Sequence, residues 1–251
     1  MVESPLASAL RDGLAALQRE ATSALRHSVL RFSAAAALGP LAVASPARAA
    51  SEEGALWVNA HLAVPLTSRL SANLIVQPRI VADISDYQRV VLRPWLQVEL
   101  GHGFHAALGY DAHLIESPAS TLEQRAWQQL GWGGRWRPLR AFGRARLEER
   151  FFEGPGPTLW RGRLLGGLGL PLGRSFELVV QDELFLNLNE NGRASRSGLR
   201  ENRLYAGFGR SLGDRGRVDL GYQMQWQELL GPDRIFHTLM LGVRVDAPKR
   251  R

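Results

Sequence analysis

The chain has 251 residues, no cysteine and a formal net charge of +7. The lack of cysteine excludes disulfides, a cysteine nucleophile and thiolate metal ligands. The positive charge is almost entirely arginine, since Lys249 is the only lysine, and the arginines are interleaved with glutamates along the chain. A surface that binds nucleic acid clusters its basic residues, so this distribution argues against a nucleic-acid partner.

The N-terminal region has the features of an export signal. Arg26 and Arg31 precede the apolar run 32–44, and Ala47-Arg48-Ala49 fits the small-x-small rule for a cleavage site. A Gly-Pro pair interrupts the run, which is shorter than the roughly 20 apolar residues of a membrane-spanning helix. We therefore predict that residues 1–49 are an N-terminal extension plus signal peptide.

Residues 50–251 are predicted to form one β domain, because their apolar side chains recur every second residue. Successive side chains of a strand point to opposite faces. The candidate strands are 56–64, 69–82, 89–100, 104–115, 122–132, two within 139–170, 176–187, 199–209, 217–227 and 235–246. Most are long for a soluble protein and typical of a tilted membrane crossing.

The hairpin 139–170 shows the clearest alternation. Its first phase contains alanine, glycine and leucine, and its second phase contains five arginines and Glu148. A transmembrane β-barrel has an apolar face toward lipid and a polar face toward its lumen. The pattern therefore predicts an antiparallel, up-and-down transmembrane β-barrel of about 10–12 strands.

The connections also alternate along the chain. Tight turns are predicted at 101–103, 171–174 and 212–216, and longer connections are predicted at 116–121, 153–158 and 187–197. Outer-membrane barrels have short periplasmic turns and longer outer loops. They also contain an even number of strands. Eleven candidate strands is an odd number, so we expect either ten or twelve strands in the wall. The wall has ten if 56–64 lies outside it, and twelve if one strand has been missed or merged with another.

Two further features concern strand ends. Pro78 and Pro94 lie within apparent strands, where each removes a hydrogen-bond donor, so we expect bulges or strand ends there. Aromatic residues near strand ends predict interfacial girdles. They are Trp57, Trp132, Trp136, Phe151, Phe152, Trp160, Phe176 and Phe236.

Thirteen charged residues share the inward phase and form the candidate site. They are Arg93, Glu99, Glu123, Arg125, Arg144, Arg146, Glu148, Arg150, Arg161, Arg163, Glu183, Glu201 and Arg203. Arginine suits such a lumen because its planar fork binds carboxylates at two points and stays charged. These residues predict either a salt-bridge network that braces the barrel or a basic constriction that selects anions, and a narrow bore favours the network.

Candidate catalytic motifs are weak. Gly209-Arg210-Ser211-Leu212-Gly213 matches G-x-S-x-G, but that motif requires a strand followed by a helix, and here a glycine turn and another strand follow. We therefore predict no catalytic, metal or cofactor site. A lipid hydrolase that pairs His113 or His237 with a nearby serine on the wall remains an alternative.

Several short motifs occur in a characteristic order across 57–245. They are Gln77-Pro78-Arg79, Leu92-Arg93-Pro94, Gly109-Tyr110-Asp111, Glu123-Gln124-Arg125-Ala126-Trp127-Gln128, Arg146-Leu147-Glu148-Glu149-Arg150-Phe151, Arg161-Gly162-Arg163, Asn202-Arg203-Leu204-Tyr205-Ala206-Gly207 and Gly221-Tyr222. In these motifs the chain resembles the DUF2490 family of bacterial proteins. The resemblance implies an outer-membrane barrel, and it does not imply an activity, a ligand or a catalytic residue. The chain departs from other barrel proteins in ending at 245–251 without a terminal aromatic residue.

These observations predict an exported, non-catalytic barrel of a Gram-negative outer membrane, without a cofactor. Its partners would be outer-membrane lipid and the barrel-insertion machinery. Its charged lumen would be structural or would pass small polar or anionic solutes. The alternatives are a barrel-embedded lipid hydrolase and a soluble periplasmic β-barrel that binds an apolar ligand.

Overall fold

The structure is a computed structural model that describes residues 51–81, 88–117, 119–154, 156–190, 196–229 and 232–248. No helix long and apolar enough to cross a membrane occurs among these residues. The predicted extension and signal peptide at 1–49 lie outside the described residues.

The described residues form eleven strands that close into one barrel, which confirms the predicted all-β barrel. The strands are β1 Ser51–Pro65, β2 Leu70–Val81, β3 Gln88–Gly101, β4 Phe104–Ser117, β5 Ala119–Trp136, β6 Leu139–Phe152, β7 Leu159–Leu172, β8 Phe176–Asn187, β9 Gly198–Leu212, β10 Gly216–Gln227 and β11 Arg234–Asp246. Each predicted strand corresponds to one of these, because alternating polarity is a local signal.

The barrel is closed by a parallel pair. Consecutive strands are antiparallel, whereas β1 and β11 run in the same direction, with Ser51 opposite Arg234 and Ala63 opposite Asp246. The expected even number of strands is therefore wrong, and residues 56–64 belong to the wall as part of β1. An odd number is accommodated because a parallel ladder, with its slanted hydrogen bonds, also pairs both edges.

The barrel has two distinct ends. The tight-turn end carries the turns at 66–69, 102–103, 137–138, 173–175 and 213–215. We call the opposite end, where β6, β8 and β10 end and β7, β9 and β11 begin, the long-loop end. β1 begins at the long-loop end, and β11 ends at the tight-turn end. The predicted longer connection at 116–121 is wrong, because Ser117 already pairs with Ala119.

Pro78 and Pro94 lie inside β2 and β3, so the expected bulges or strand ends are wrong. Each proline is paired on one side, Pro78 with Val90 and Pro94 with Leu74. On the other side the ladder skips the proline and resumes in the same register, toward β1 for Pro78 and toward β4 for Pro94. Because the ladder is open at those points, the missing N–H groups leave no broken hydrogen bond.

The outer wall is apolar. Leucines at alternate positions face outward, and Leu96, Leu108 and Leu164 are 51%, 67% and 53% exposed. Some polar side chains on this face are paired, as where Asn202 donates to the Asp182 carboxylate at 2.6 Å. Contiguous exposed apolar surface of this kind is unusual on a soluble monomer.

The aromatic residues divide between the two faces. Trp132, Trp136 and Trp160 are exposed, at 39%, 77% and 37%. Trp57 lies instead in a buried inner cluster against which Phe236 packs, so the girdle prediction is wrong for these two residues. They belong to the inward phases of β1 and β11, which the position of a residue near a strand end does not reveal. The girdle prediction is also wrong for Phe152, which lies on the inward phase of β6 beside Arg150.

Candidate functional site

The lumen contains a dense set of buried charges. Six arginines and five carboxylates of the described residues are each at most 9% exposed: Arg79, Arg125, Arg146, Arg150, Arg161, Arg163, Asp111, Glu123, Glu148, Glu183 and Glu201. Arg93, Arg144 and Arg203 adjoin them through ion pairs. Buried charges are tolerated where they are paired and hydrogen-bonded.

Glu148, on β6, lies at the centre of these charges and is fully buried. Arg163 of β7 donates to its Oε1 at 2.5 Å, and Arg125 and Arg146 lie 3.7 Å from its oxygens. The guanidinium of Arg163 also lies 2.8 Å from Glu183 of β8. One arginine thus joins carboxylates of two strands.

A second group of contacts surrounds Asp111 of β4. Arg93 donates to both carboxylate oxygens at 2.8 Å, and the Trp127 indole N–H donates to one of them at 2.7 Å. Trp127 reaches this position because residue 109 is glycine. A Cβ at Gly109 would lie 2.2 Å from the indole ring. His113 Nε2 lies 3.6 Å from the same carboxylate.

Aromatic rings complete the packing of the guanidinium groups. Arg146 lies 3.7 Å from the centroid of the Trp127 ring and also donates to the amide oxygen of Gln129 at 2.8 Å. The buried Phe185 ring has three arginines around it, with guanidinium carbons 4.4–5.8 Å from its centroid. They are Arg161, Arg163 and Arg203. Cation–π contacts are strongest when both groups are desolvated, so these rings stabilise guanidinium groups that have lost contact with water.

The structure places twelve of the thirteen predicted residues within this set of charges. The exception is Glu99, which is exposed near the tight-turn end and accepts a hydrogen bond from Gln97 at 2.9 Å. Sequence reasoning missed Asp111 and Arg79. Asp111 has the same inward phase as His113 on β4, and Arg79 has the same inward phase as Gln77 on β2. Applying the alternation to the whole of both strands therefore identifies the two residues.

Two cavities lie at opposite ends of the lumen and share no lining residue. The cavity at the long-loop end has a volume of about 420 Å³, and the cavity at the tight-turn end has a volume of about 630 Å³. Eight residues of this set of charges line neither cavity and form what we call the central plug: Arg93, Asp111, Glu123, Arg144, Arg146, Glu148, Arg163 and Glu183.

The histidines and the serine of the hydrolase alternative lie apart. His237 is on the outer wall, where Nδ1 lies 2.6 Å from the Tyr222 hydroxyl and Nε2 lies 3.7 Å from Glu52. His113 is inside the barrel beside Asp111. Ser211 is in β9, which continues through a tight turn into β10 and not into a helix. Within the described residues, no serine hydrogen-bonds to either histidine.

Metal-ligating groups are also dispersed. The described part of the chain contains no group of three or more histidine, aspartate or glutamate side chains arranged to hold a metal ion. The carboxylates of the lumen are instead directed at arginines. The chemistry of this lumen is therefore that of anion–guanidinium pairing.

A family model described as "Protein of unknown function (DUF2490)" matches residues 54–235. An uncharacterized protein of Methylorubrum extorquens is 26% identical over 193 residues, which cover 73% of this chain and 84% of that protein. No solved structure matches the chain.

Proposed function

The chain belongs to the DUF2490 family of proteins of unknown function, and on that premise we propose that it is a non-catalytic outer-membrane barrel whose lumen is closed by the central plug. The family description supplies no activity. The proposal therefore depends on the chemistry of the two faces of the wall and on the contents of the lumen.

The observation that carries the proposal is the inverted distribution of polarity. Leucines cover the outside of the barrel, whereas arginines and carboxylates are buried inside. A bilayer stabilises this arrangement because the lipid chains cover the apolar face. A soluble barrel that binds an apolar ligand needs the opposite arrangement, which disfavours that alternative. By analogy with other outer-membrane barrels, the tight-turn end would face the periplasm.

The central plug supports a structural function of the lumen. Its ion pairs join neighbouring strands, as between Glu148 and Arg163, and also strands two positions apart, as between Arg144 of β6 and Glu183 of β8 at 2.7 Å. Such pairs hold the cross-section of the barrel. A solute that passed through would have to separate several buried pairs at once, which is costly at low dielectric.

A second candidate function is the passage of small anions. It is favoured by an excess of arginine in the buried set of charges, where nine arginines, including the three that adjoin it, face five carboxylates among the described residues. A basic lumen favours anions over cations. This candidate requires the central plug to open.

The lipid-hydrolase alternative has less support. The partners of His237 on the outer wall are Tyr222 and Glu52, and neither supplies the serine nucleophile of that mechanism. We expect no hydrolysis of phospholipid or lipid A by the purified protein. Hydrolysis that disappears in Ser211→Ala or His237→Ala would contradict the non-catalytic proposal.

Cell fractionation and planar-bilayer recording test the proposal together. We expect the protein in the detergent-extracted outer-membrane fraction, with heat-modifiable migration on a gel, and no steady conductance. Recovery in the soluble periplasm would contradict the membrane location. A steady, anion-selective conductance of the wild-type protein would contradict the closed lumen and favour passage.

A further inference from the structure

The cavity at the long-loop end is strongly basic. Eight arginines and two glutamates line it, together with aromatic and aliphatic side chains. These arginines line a space of about 420 Å³, which is within the size range of small-molecule sites. Within the described residues, at least six of the eight arginines have a carboxylate within 4.0 Å, in part from residues behind the lining, such as Glu123 and Glu53. An arginine here that has no carboxylate would do more than brace the wall.

Arg79 is the clearest case of an arginine without a carboxylate. It is 8% exposed, donates to the amide oxygen of Gln77 at 2.8 Å and lies 3.8 Å from the centroid of the Trp57 ring. In the described part of the chain, no carboxylate oxygen lies within 4.0 Å of its guanidinium. Amide and ring contacts orient this cation without neutralising it.

Arg161 and Arg203 line the same cavity as Arg79 and share a single carboxylate. Glu201 pairs with Arg203 and lies 3.9 Å from Arg161, whose Nε donates to Asn187 at 3.1 Å. Arg203 shares one aromatic ring with Arg79 and another with Arg161. Arg203 lies 5.0 Å from the Trp57 ring, which Arg79 covers, and 4.4 Å from the Phe185 ring, near which Arg161 also lies.

These three guanidinium groups and one carboxylate leave an excess of two positive charges along the wall of one cavity. We propose that this cavity binds a phosphate monoester, with the dianionic phosphate between Arg79, Arg161 and Arg203. A phosphate monoester carries a charge near −2 at neutral pH, and arginine forks bind its oxygens at two points. The carbon body of the ligand lies against Phe152, Leu159 and Phe236, which line the same cavity.

The site is independent of where the barrel resides. Binding to the purified full-length protein in detergent tests the ligand site, whereas cell fractionation tests the membrane location. A negative result in one measurement therefore leaves the other interpretable. Binding also does not require the central plug to open, since the cavity lies on one side of it.

The test is isothermal titration calorimetry at constant ionic strength with phenyl phosphate as the probe. We expect saturable binding of phenyl phosphate, weaker binding of inorganic phosphate, which lacks a carbon body, and no binding of phenol. Glycerol 3-phosphate and dihexanoyl phosphatidic acid distinguish the source of the phosphate. Tighter binding of the first indicates a soluble phosphate ester, and tighter binding of the second indicates a lipid headgroup.

Matched variants locate the site. Arg79→Gln and Arg161→Gln are expected to weaken binding of phenyl phosphate at least tenfold. Arg217→Gln removes one guanidinium at the tight-turn end and is expected to leave the affinity unchanged within twofold. Heat-modifiable migration confirms that each variant is folded, and Arg161→Lys replaces any variant that is not. Absence of phenyl phosphate binding to the wild-type protein, or an equal loss in Arg217→Gln, would overturn the proposal.

Discussion

The two ends of the lumen differ in how their arginines are compensated. Eight arginines and two glutamates line the long-loop cavity, whereas four arginines and three aspartates line the tight-turn cavity. Most arginines at both ends pair with a carboxylate, and at the tight-turn end the exception, Arg215, is exposed to solvent. At that end, Arg140 lies 2.8 Å from Glu177, and Arg217 lies 2.8 Å from Asp219. At the long-loop end, the buried Arg79 has no carboxylate partner among the described residues.

This difference indicates that the arginines of the lumen have two roles, one in holding strands together and one in binding an anion. At the tight-turn end and in the central plug, guanidinium groups pair with carboxylates of other positions and hold strands together. At the long-loop end, groups such as Arg79 are positioned by an amide and an aromatic ring. An arginine that is oriented but not neutralised is available to an anion.

The largest effect is expected for Glu148→Gln, which disrupts the central plug that separates the two ends. The substitution leaves Arg163 without its closest carboxylate and Arg125 and Arg146 with less compensation. Removing one partner of a buried pair costs about 3–5 kcal/mol. Urea unfolding in lipid vesicles, followed by tryptophan fluorescence, measures the loss in the free energy of unfolding.

Asp246→Asn is the control for that experiment. The Arg244–Asp246 pair has side chains that are 46% and 41% exposed, so the free energy of unfolding should fall by less than about 1 kcal/mol. Equal losses in the free energy of unfolding of the two variants would mean that water screens the ion pairs of the central plug. The plug would then not differ from the ends of the barrel in the strength of its ion pairs.

A substitution on the outer wall tests whether the region between the two ends lies in a bilayer. Leu164, near the middle of β7, is 53% exposed and faces outward. Leu164→Arg is expected to lower the free energy of unfolding in vesicles by about 2–4 kcal/mol, because lipid does not solvate the charge. Leu172→Arg, at the tight-turn end of the same strand, should cost about 0–1 kcal/mol. Equal costs at both depths would contradict the membrane proposal.

The smallest effect is expected at the tight-turn end, for the pair of Arg140 and Glu177. Arg140 donates to both carboxylate oxygens, at 2.8 and 3.0 Å, but its side chain is 39% exposed. Solvent screening reduces the value of such a pair to about 1 kcal/mol. A double-mutant cycle with Arg140→Gln and Glu177→Gln measures the coupling energy. The cycle of Arg163→Gln and Glu148→Gln should give a clearly larger value, and the reverse order would contradict the distinction between the plug and this end.

The strands were predictable from the sequence, with limits that differ from the structure by up to five residues, as for 56–64 against β1. The prediction 176–187 coincides with β8, and 217–227 differs from β10 by one residue. The alternation of apolar and polar residues is a property of each segment by itself, so a strand can be predicted without knowing which strands pair with it. The connection at 116–121 was predicted wrongly, because the pairing of Ser117 with Ala119 depends on two strands meeting.

The sequence predicted which charged residues lie in the lumen, but it did not predict which of them pair or how far apart they lie. The inward phase identified Glu148 and Arg163 as lumen residues, and the structure places them 2.5 Å apart. The same phase also included Glu99, which lies near the end of β3 and outside the buried set. Position along the barrel axis depends on how each strand is staggered, and the sequence pattern does not encode that stagger.

The sequence by itself determined the class of fold and the two chemistries of the wall, because both follow from the period of two within each strand. Only the tertiary structure decided the parallel closure of β1 on β11, the pairing partners of each arginine and the excess of positive charge at the long-loop end. These properties arise from contacts between residues that are distant in the chain. Register and closure are set by all the strands together, so no single segment carries them.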